Sequence, residues 1–217
     1  MLKFGDWINR KRHNRGFGIQ SPSTFFFITQ VLKERLPYYA YNDIERAAGE
    51  YRPCGIKNPY ELFRITNYLH SDNCIAIDSP MAACVMTLAH PLAKQYLVTG
   101  NTDTQPQTKS ILDQNGCRQF VGDAATQLQA VLKETGCIGT LYIGNCDQRD
   151  KIYVAALEHT NNESVIIVEG IHRDKTILDW WSTIVASDNT IVTYDMYSYG
   201  MLFFDKERKK QHYTLKR

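Results

Sequence analysis

From residue 73 onward, short apolar runs alternate with stretches whose apolar positions recur at helical spacing. Asn73–Asp78, Gln95–Thr99, Gln119–Val121, Ile138–Ile143 and Ser164–Glu169 are the runs, and each is followed by a helical pattern. Runs without polar alternation suit strands covered on both faces, so the order βαβαβαβαβα predicts a parallel sheet between two layers of helices. Gly116 and Gly136 fall where two of those helices should end, as C-cap glycines. The rhythm then breaks. Thr190–Asp195 and Gly200–Asp205 are separated by only Met196, Tyr197, Ser198 and Tyr199, too short a link for a helical crossover, which predicts an antiparallel hairpin. Lys210–Leu215 is a further extended candidate. The first third reads as helical instead. Ser21-Pro22 predicts a capped helix over 22–36; Asn42 with Glu45 predicts one over 43–51; Asn58-Pro59 with Glu61 predicts one over 59–70. Tyr51–Lys57, with Pro53 and Gly55, reads as a loop.

These elements fit one domain of 217 residues, a helical extension over 1–71 followed by an α/β core over 72–217. No run approaches the roughly 20 apolar residues of a membrane span, and Met1–Trp7 lacks the organisation of a secretion signal, so a cytoplasmic protein without membrane partners is expected. The six cysteines are widely spaced, with no Cys-x-x-Cys pair, and read as reduced, mostly buried thiols. The net charge of +2 conceals an asymmetry. Residues 1–15 carry five basic and one acidic side chain and residues 205–217 six and two, leaving 14 basic against 20 acidic between them. Either basic end offers phosphate contacts, but no stacking aromatics or nucleic-acid motif accompany them, so solvated termini are expected rather than nucleic-acid binding. Tyr38-Tyr39-Ala40-Tyr41 and Tyr197-Ser198-Tyr199 are candidates for an acceptor pocket or a subunit contact, against ordinary surface tyrosines.

Four stretches carry a resemblance to a known family. They are Gly18-Ile19-Gln20-Ser21-Pro22, Gly144-Asn145, Glu169-Gly170-Ile171-His172 with Trp181, and Thr193–Tyr197 with Gly200–Phe204 and Lys210–Thr214. The chain resembles a class I S-adenosylmethionine-dependent methyltransferase, in particular a bacterial group related to the catechol-type O-methyltransferases. The resemblance implies a Rossmann-like α/β fold with a mostly parallel seven-stranded sheet ending in an antiparallel hairpin, and a homodimer.

The departures from that family lie where cofactor and metal would be held. The loop after the first strand is glycine-rich in the family, because backbone must approach the cofactor closely. Here it reads Ile77-Asp78-Ser79-Pro80-Met81-Ala82, with Asp78 and Ala82 at the glycine positions. Alternatively, a shifted register makes Asp78 the motif's acid. Thr99 replaces the carboxylate that takes the ribose hydroxyls, Cys146 replaces the family's histidine, and Ile143 and Gly170 replace metal-binding carboxylates, leaving only Glu169, which implies no metal. Gly122-Asp123-Ala124 matches a turn whose acid faces the adenine, although Asp123 suits a helix N-cap equally well.

The resemblance therefore implies S-adenosylmethionine as cofactor, placed around Asp78, Thr99, Gly100, Gly122, Asp123 and Gly144. A small-molecule acceptor would sit beside Glu169 and His172 as the acid and base pair, imidazole being the side chain that exchanges protons near neutral pH. Against that catalytic reading, Glu169 would cap the following helix and His172 would pack on Trp181. Asp195 reads as a fold residue. The competing expectation for the whole chain is a catalytically inactive methyltransferase-fold protein, a pseudoenzyme, that binds another ligand or a protein partner.

Overall fold

The structure, a computed structural model, describes residues 19, 21–49, 59–101 and 103–215. The basic run Arg10–Arg15, Gly18, Gln20, the Tyr51–Lys57 loop with Cys54, and the Asn58 cap lie outside the described residues.

Eight strands form one sheet: β1 (Asn73–Ile77), β2 (Lys94–Thr99), β3 (Arg118–Val121), β4 (Thr140–Ile143), β5 (Val165–Glu169), β6 (Val192–Asp195), β7 (Tyr199–Phe203) and β8 (Gln211–Thr214). Their order is β3-β2-β1-β4-β5-β7-β6-β8. The first five pair in parallel, whereas β7 runs antiparallel to both β5 and β6, so the short link at 196–198 closes the expected hairpin. The sheet has eight strands rather than seven because Gln211–Thr214 pairs in parallel with β6, Val192 opposite Gln211 and Asp195 opposite Thr214.

The helices are α1 (Pro22–Phe26), α2 (Tyr41–Ala48), α3 (Pro59–Leu69), α4 (Pro80–Ala89), α5 (Pro106–Gln114), α6 (Ala124–Thr135), α7 (Arg149–Leu157) and α8 (Lys175–Ala186). Strand residues alternate between two cores. Cys74 and Ala76 of β1 join Phe27–Leu32 and α2–α5 on one face, and Ile75 and Ile77 join α6–α8 on the other. The N-terminal helices share the first of these cores with Tyr194, Met201 and Tyr213, so they are packed onto the sheet rather than set apart from it. Trp181 of α8 lies flat against β7, where a Cβ on Gly200 would stand 2.3 Å from its ring, so glycine is required there.

Two helix expectations need correction. Ser21 caps α1 through the Thr24 amide, but the α-helix ends at Phe26 and continues as a π-helix over Phe27–Leu32, not to residue 36. The buried Arg64 ends it by donating from Nε to the Val31 carbonyl (2.9 Å) and from Nη2 to that of Leu32 (3.0 Å). These contacts satisfy orphan carbonyls from more than thirty residues away. The second helix begins at Tyr41 with Ala40 at the N-cap, so Asn42 lies inside it and caps nothing. Of the tyrosines expected at the surface, Tyr39 and Tyr197 are exposed, but Tyr199 is fully buried in β7. The C-terminal basic run is built into the fold: Arg208 donates to Ser23 and Thr24, and Lys210 to the carbonyls of Ala186 and Ser187 at the end of α8.

Candidate functional site

Because β1 leads outward through β2 to β3 and the chain then returns to β4, the sheet changes direction beside β1. Open α/β sheets place their ligand crevice outside the carboxyl ends of the strands at such a point. A cavity of about 300 Å³ lies there, lined by Asp78, Ser79, Pro80, Met81, Thr99, Asn101, Asp103, Thr104, Gln105 and Thr108.

Asp78 leaves β1 with φ +48°, in the left-handed region that glycine adopts most easily. The residue thus keeps a glycine's backbone geometry while adding a carboxylate, whose Oδ1 accepts the Gly100 N–H at 3.0 Å and bridges the ends of β1 and β2. Thr99 is buried at the end of β2; its hydroxyl donates to the Asn101 carbonyl at 2.9 Å and accepts the Asn101 N–H at 3.2 Å. A Cβ on Gly100 would meet only the Gly122 carbonyl, at an ordinary contact distance of 4.0 Å. Gly122 has φ +141° and donates its N–H to the Thr99 carbonyl. Gly144 donates its N–H to the Ile77 carbonyl (2.9 Å), and a Cβ there would stand 2.6 Å from that same oxygen. Its glycine is therefore needed to let the loop after β4 pass the end of β1.

Asp123 serves as the N-cap of α6. Its Oδ2 accepts the Thr126 N–H (3.0 Å) and hydroxyl (2.7 Å), and Oδ1 accepts Gln148 Nε2 (2.6 Å). The Thr126 hydroxyl first, then the Gln148 amide and the Thr126 N–H, hold its carboxyl down to about 2.

A second group of side chains gathers at the ends of β4, β5 and β6. Glu169, ending β5, accepts the Tyr142 hydroxyl of β4 at 2.9 Å. Asp174, not Glu169, caps α8 by accepting the Ile177 N–H. His172 meets Asp195: His172 Nε2 lies 2.8 Å from Asp195 Oδ2, both side chains being largely buried. The other Asp195 oxygen accepts the Tyr197 N–H at 2.8 Å and closes the β6–β7 turn. Tyr197, at φ +70°, stacks on the imidazole with ring centroids 4.8 Å apart. A tyrosine in the left-handed region costs backbone strain, and here the histidine–aspartate pair holds it in place.

The loop after β4 adds groups that sequence reasoning did not single out. Arg149, the first residue of α7, is only 6% exposed. Its Nη2 makes one long contact, 3.4 Å, to Asn145 Oδ1, and Arg173 Nη1 donates to that same oxygen. Burial, with Arg173 adding repulsion, pulls the Arg149 guanidinium below its ordinary range. Half-buried Cys146 is pushed up to about 11 by burial first and the Asp78 carboxylate second, while Arg149 opposes the shift; the thiol therefore lies electrostatically between the two. Ile143 and Gly170 offer no ligand atoms in their side chains, and among the described residues no three His, Cys, Asp or Glu side chains cluster as for a metal ion.

No family model and no curated protein sequence matches the chain. Solved structures do. The O-methyltransferase from Bacillus cereus, in complex with SAH, superposes with a TM-score of 0.59 at 11% identity, over 80% of this chain and 95% of that one. The O-methyltransferase TomG from Streptomyces achromogenes, in complex with SAM, gives 0.57 at 13% identity over 83% and 94%. The SAH-bound methyltransferase PaMTH1 of Podospora anserina gives 0.56 at 11% over 94% and 98%. At these identities the likeness establishes the fold, which is the Rossmann-like class I methyltransferase fold with its antiparallel hairpin.

Proposed function

We propose that the protein is an S-adenosylmethionine-dependent methyltransferase that acts on a hydroxyl oxygen of a small molecule. The observation that carries the reading is the His172–Asp195 pair at the same strand-end edge as the crevice beside β1 and β2. The neighbours' SAM and SAH complexes support it by the fold they share with this chain.

The crevice is suited to this cofactor in size and chemistry. About 300 Å³ lies at the lower end of the roughly 300–1,000 Å³ of small-molecule sites. Its Asp78 and Asp103 carboxylates, with the side chains of Thr99, Asn101 and Thr104, are acceptors for ribose hydroxyls and an ammonium group. Gly100 and Gly144 keep Cβ atoms out of the two strand ends, and Gly122 with Asp123 shapes the turn toward α6. When bound, the cofactor supplies an electrophilic methyl group.

The chain's own residues do the rest. With Nε2–H donated to the Asp195 carboxylate, Nδ1 of His172 carries the lone pair and accepts the proton of the acceptor hydroxyl; Asp195 fixes the tautomer and steadies the imidazolium that forms. Tyr197 holds the ring plane by stacking. Glu169, tied to Tyr142, lies at the neighbouring strand end as a further acceptor for the substrate's polar groups. We also place the protein in a reducing compartment, the cytoplasm, which the free, buried thiols of Cys74, Cys84 and Cys117 support.

The test is transfer of label from methyl-labelled S-adenosylmethionine to a panel of small hydroxyl-bearing acceptors. His172→Ala should lower the rate about 10²–10⁴-fold, the usual contribution of a positioned base. Equal rates in wild type and variant would overturn His172's role, and failure of the cofactor to bind would overturn the reading as a whole.

A further inference from the structure

Among the described residues, Arg149 is a buried cation that forms no salt bridge. Its Nε and Nη1 are closed off from water and have no hydrogen-bond partner, and Nη2 has only the 3.4 Å contact to a neutral amide oxygen. Arg173 pairs with Asp174 at 3.6 Å, yet also turns Nη1 onto that same amide. Glu169 and Asp174 act on Arg149 only as more distant charges. Two guanidinium groups therefore converge on one uncharged oxygen, Asn145 Oδ1, at the mouth of the loop after β4. The position is adverse for the cation in a second respect. Arg149 is the first residue of the nine-residue α7, where the helix dipole disfavours positive charge and favours an anion.

We propose that Asn145 Oδ1 is a placeholder for an oxyanion, and that Arg149 and Arg173 form a binding site for a carboxylate or phosphate carried by the methyl acceptor. The inference rests on the proposed function for what carries the anion; the site itself stands on the orphaned guanidinium donors. Asn145 and Arg173 are exposed, whereas Arg149 lies beneath them, so an incoming group displaces the Asn145 side chain and gains both arginines. A planar carboxylate or a phosphate that takes the place of Asn145 Oδ1 at Nη2 offers its second oxygen to the adjoining Nε or Nη1 of Arg149 and another lone pair to Arg173, which a single amide oxygen cannot. The site lies between the two halves of the proposed centre. Gly144, one residue from Asn145, packs on the backbone of Ile77 and Asp78 at the crevice, and Arg173 directly follows His172 in the chain. An acceptor anchored there would be held by its anionic end beside the strand ends that carry the histidine.

The experiment is calorimetric titration of the full chain with inorganic phosphate and, separately, with benzoate, at ionic strength held constant with sodium chloride, beside a titration with S-adenosylhomocysteine. Wild type should bind one of the two anions saturably, and which one it binds distinguishes a phosphorylated from a carboxylated acceptor. Arg149→Met and Arg173→Met should each weaken that binding at least tenfold and leave S-adenosylhomocysteine affinity within twofold. Asn145→Ala, which removes the competing amide, should tighten it. Anion binding of equal strength in Arg149→Met, or none by wild type at 20-millimolar phosphate and benzoate, on the order of what a weak fragment requires, overturns the site. Loss of S-adenosylhomocysteine binding with the anion response intact overturns the methyl-transfer reading and leaves the site standing.

Discussion

Replacing Arg149 by methionine should stabilise the protein. An arginine buried at 6% exposure with two unpartnered donors destabilises the fold, because each buried donor that gives up water without a replacement costs about 1–3 kcal/mol. Methionine has a similar reach, no polar hydrogen and enough flexibility to fill an irregular space. The interaction lost is the 3.4 Å contact to Asn145, whose length puts it at or below the usual net value of about 0.5–1.5 kcal/mol for a hydrogen bond. Two donors at about 1 kcal/mol each, the lower end of that range, less a long contact of about 0–1 kcal/mol, leave a gain of about 1–2 kcal/mol. For a chain of this size each kcal/mol moves the midpoint by about 2–4 °C, so Tm should rise by about 2–8 °C. Scanning calorimetry in an anion-poor buffer measures it, and urea unfolding supplies an independent free energy. Adding the anion that fits the site should then raise the wild type alone and close the gap, since a ligand at about 100 times its Kd contributes about 2.7 kcal/mol. A variant that melts below wild type in the anion-poor buffer would refute the reasoning, because it would show the guanidinium to be paired and stabilising as it stands.

Other positions yield further expectations. Gly144→Ala places a Cβ 2.6 Å from the Ile77 carbonyl, backbone that cannot yield, so chemical denaturation should show a loss of about 1–3 kcal/mol, the usual cost of overpacking; an unchanged midpoint would contradict the close passage of the two loops. Gly200→Ala drives a Cβ into the Trp181 ring and should both destabilise the fold and alter the near-ultraviolet tryptophan signal. For Asp123, the folded carboxyl titrates near 2 against 3.8 for the unconstrained group, so the stability it contributes is present above about pH 4 and is lost as pH falls toward 2. The Tm difference between wild type and Asp123→Asn should therefore shrink over that window, and a difference constant down to pH 2 would count against the cap. Asp195→Asn should lower the methyl-transfer rate with little change in acceptor KM, since it disturbs the histidine tautomer rather than the binding contacts.

What could be read from the sequence follows from how local each cause is. β1, β2, β4 and β5 show as unbroken apolar runs because both of their faces are covered, whereas β3 lies largely exposed at the sheet edge, and the hairpin shows because four residues cannot cross over a sheet. The early end of the first helix is hidden, since the group that donates to its last carbonyls is Arg64, far along the chain. Asn42 misled for a related reason: a cap is defined by backbone geometry, and the turn through Tyr38–Tyr41, closed by the Tyr41 N–H to the Tyr38 carbonyl, starts the helix earlier. At the site, His172 was visible by residue type, but its partner was not. Asp195 matched as part of the hairpin, and only the sheet brings it to the histidine. Arg149 left one trace in the sequence, a cation in the first turn of a helix, where acids are favoured. Its burial and its lack of a salt bridge among the described residues are tertiary facts. Asp78 belongs to both levels: the sequence showed an acid at a glycine position, and the structure explains how the backbone conformation survives the change.

The most direct test of the account is calorimetric titration of the purified protein with S-adenosylhomocysteine beside S-adenosylmethionine, repeated with Thr99→Val, which removes an acceptor from the buried end of β2. The account predicts saturable binding of both ligands at a single site, and weaker binding in the variant. No heat at high ligand concentration, together with an unchanged melting temperature, would contradict it and show that the fold serves another ligand.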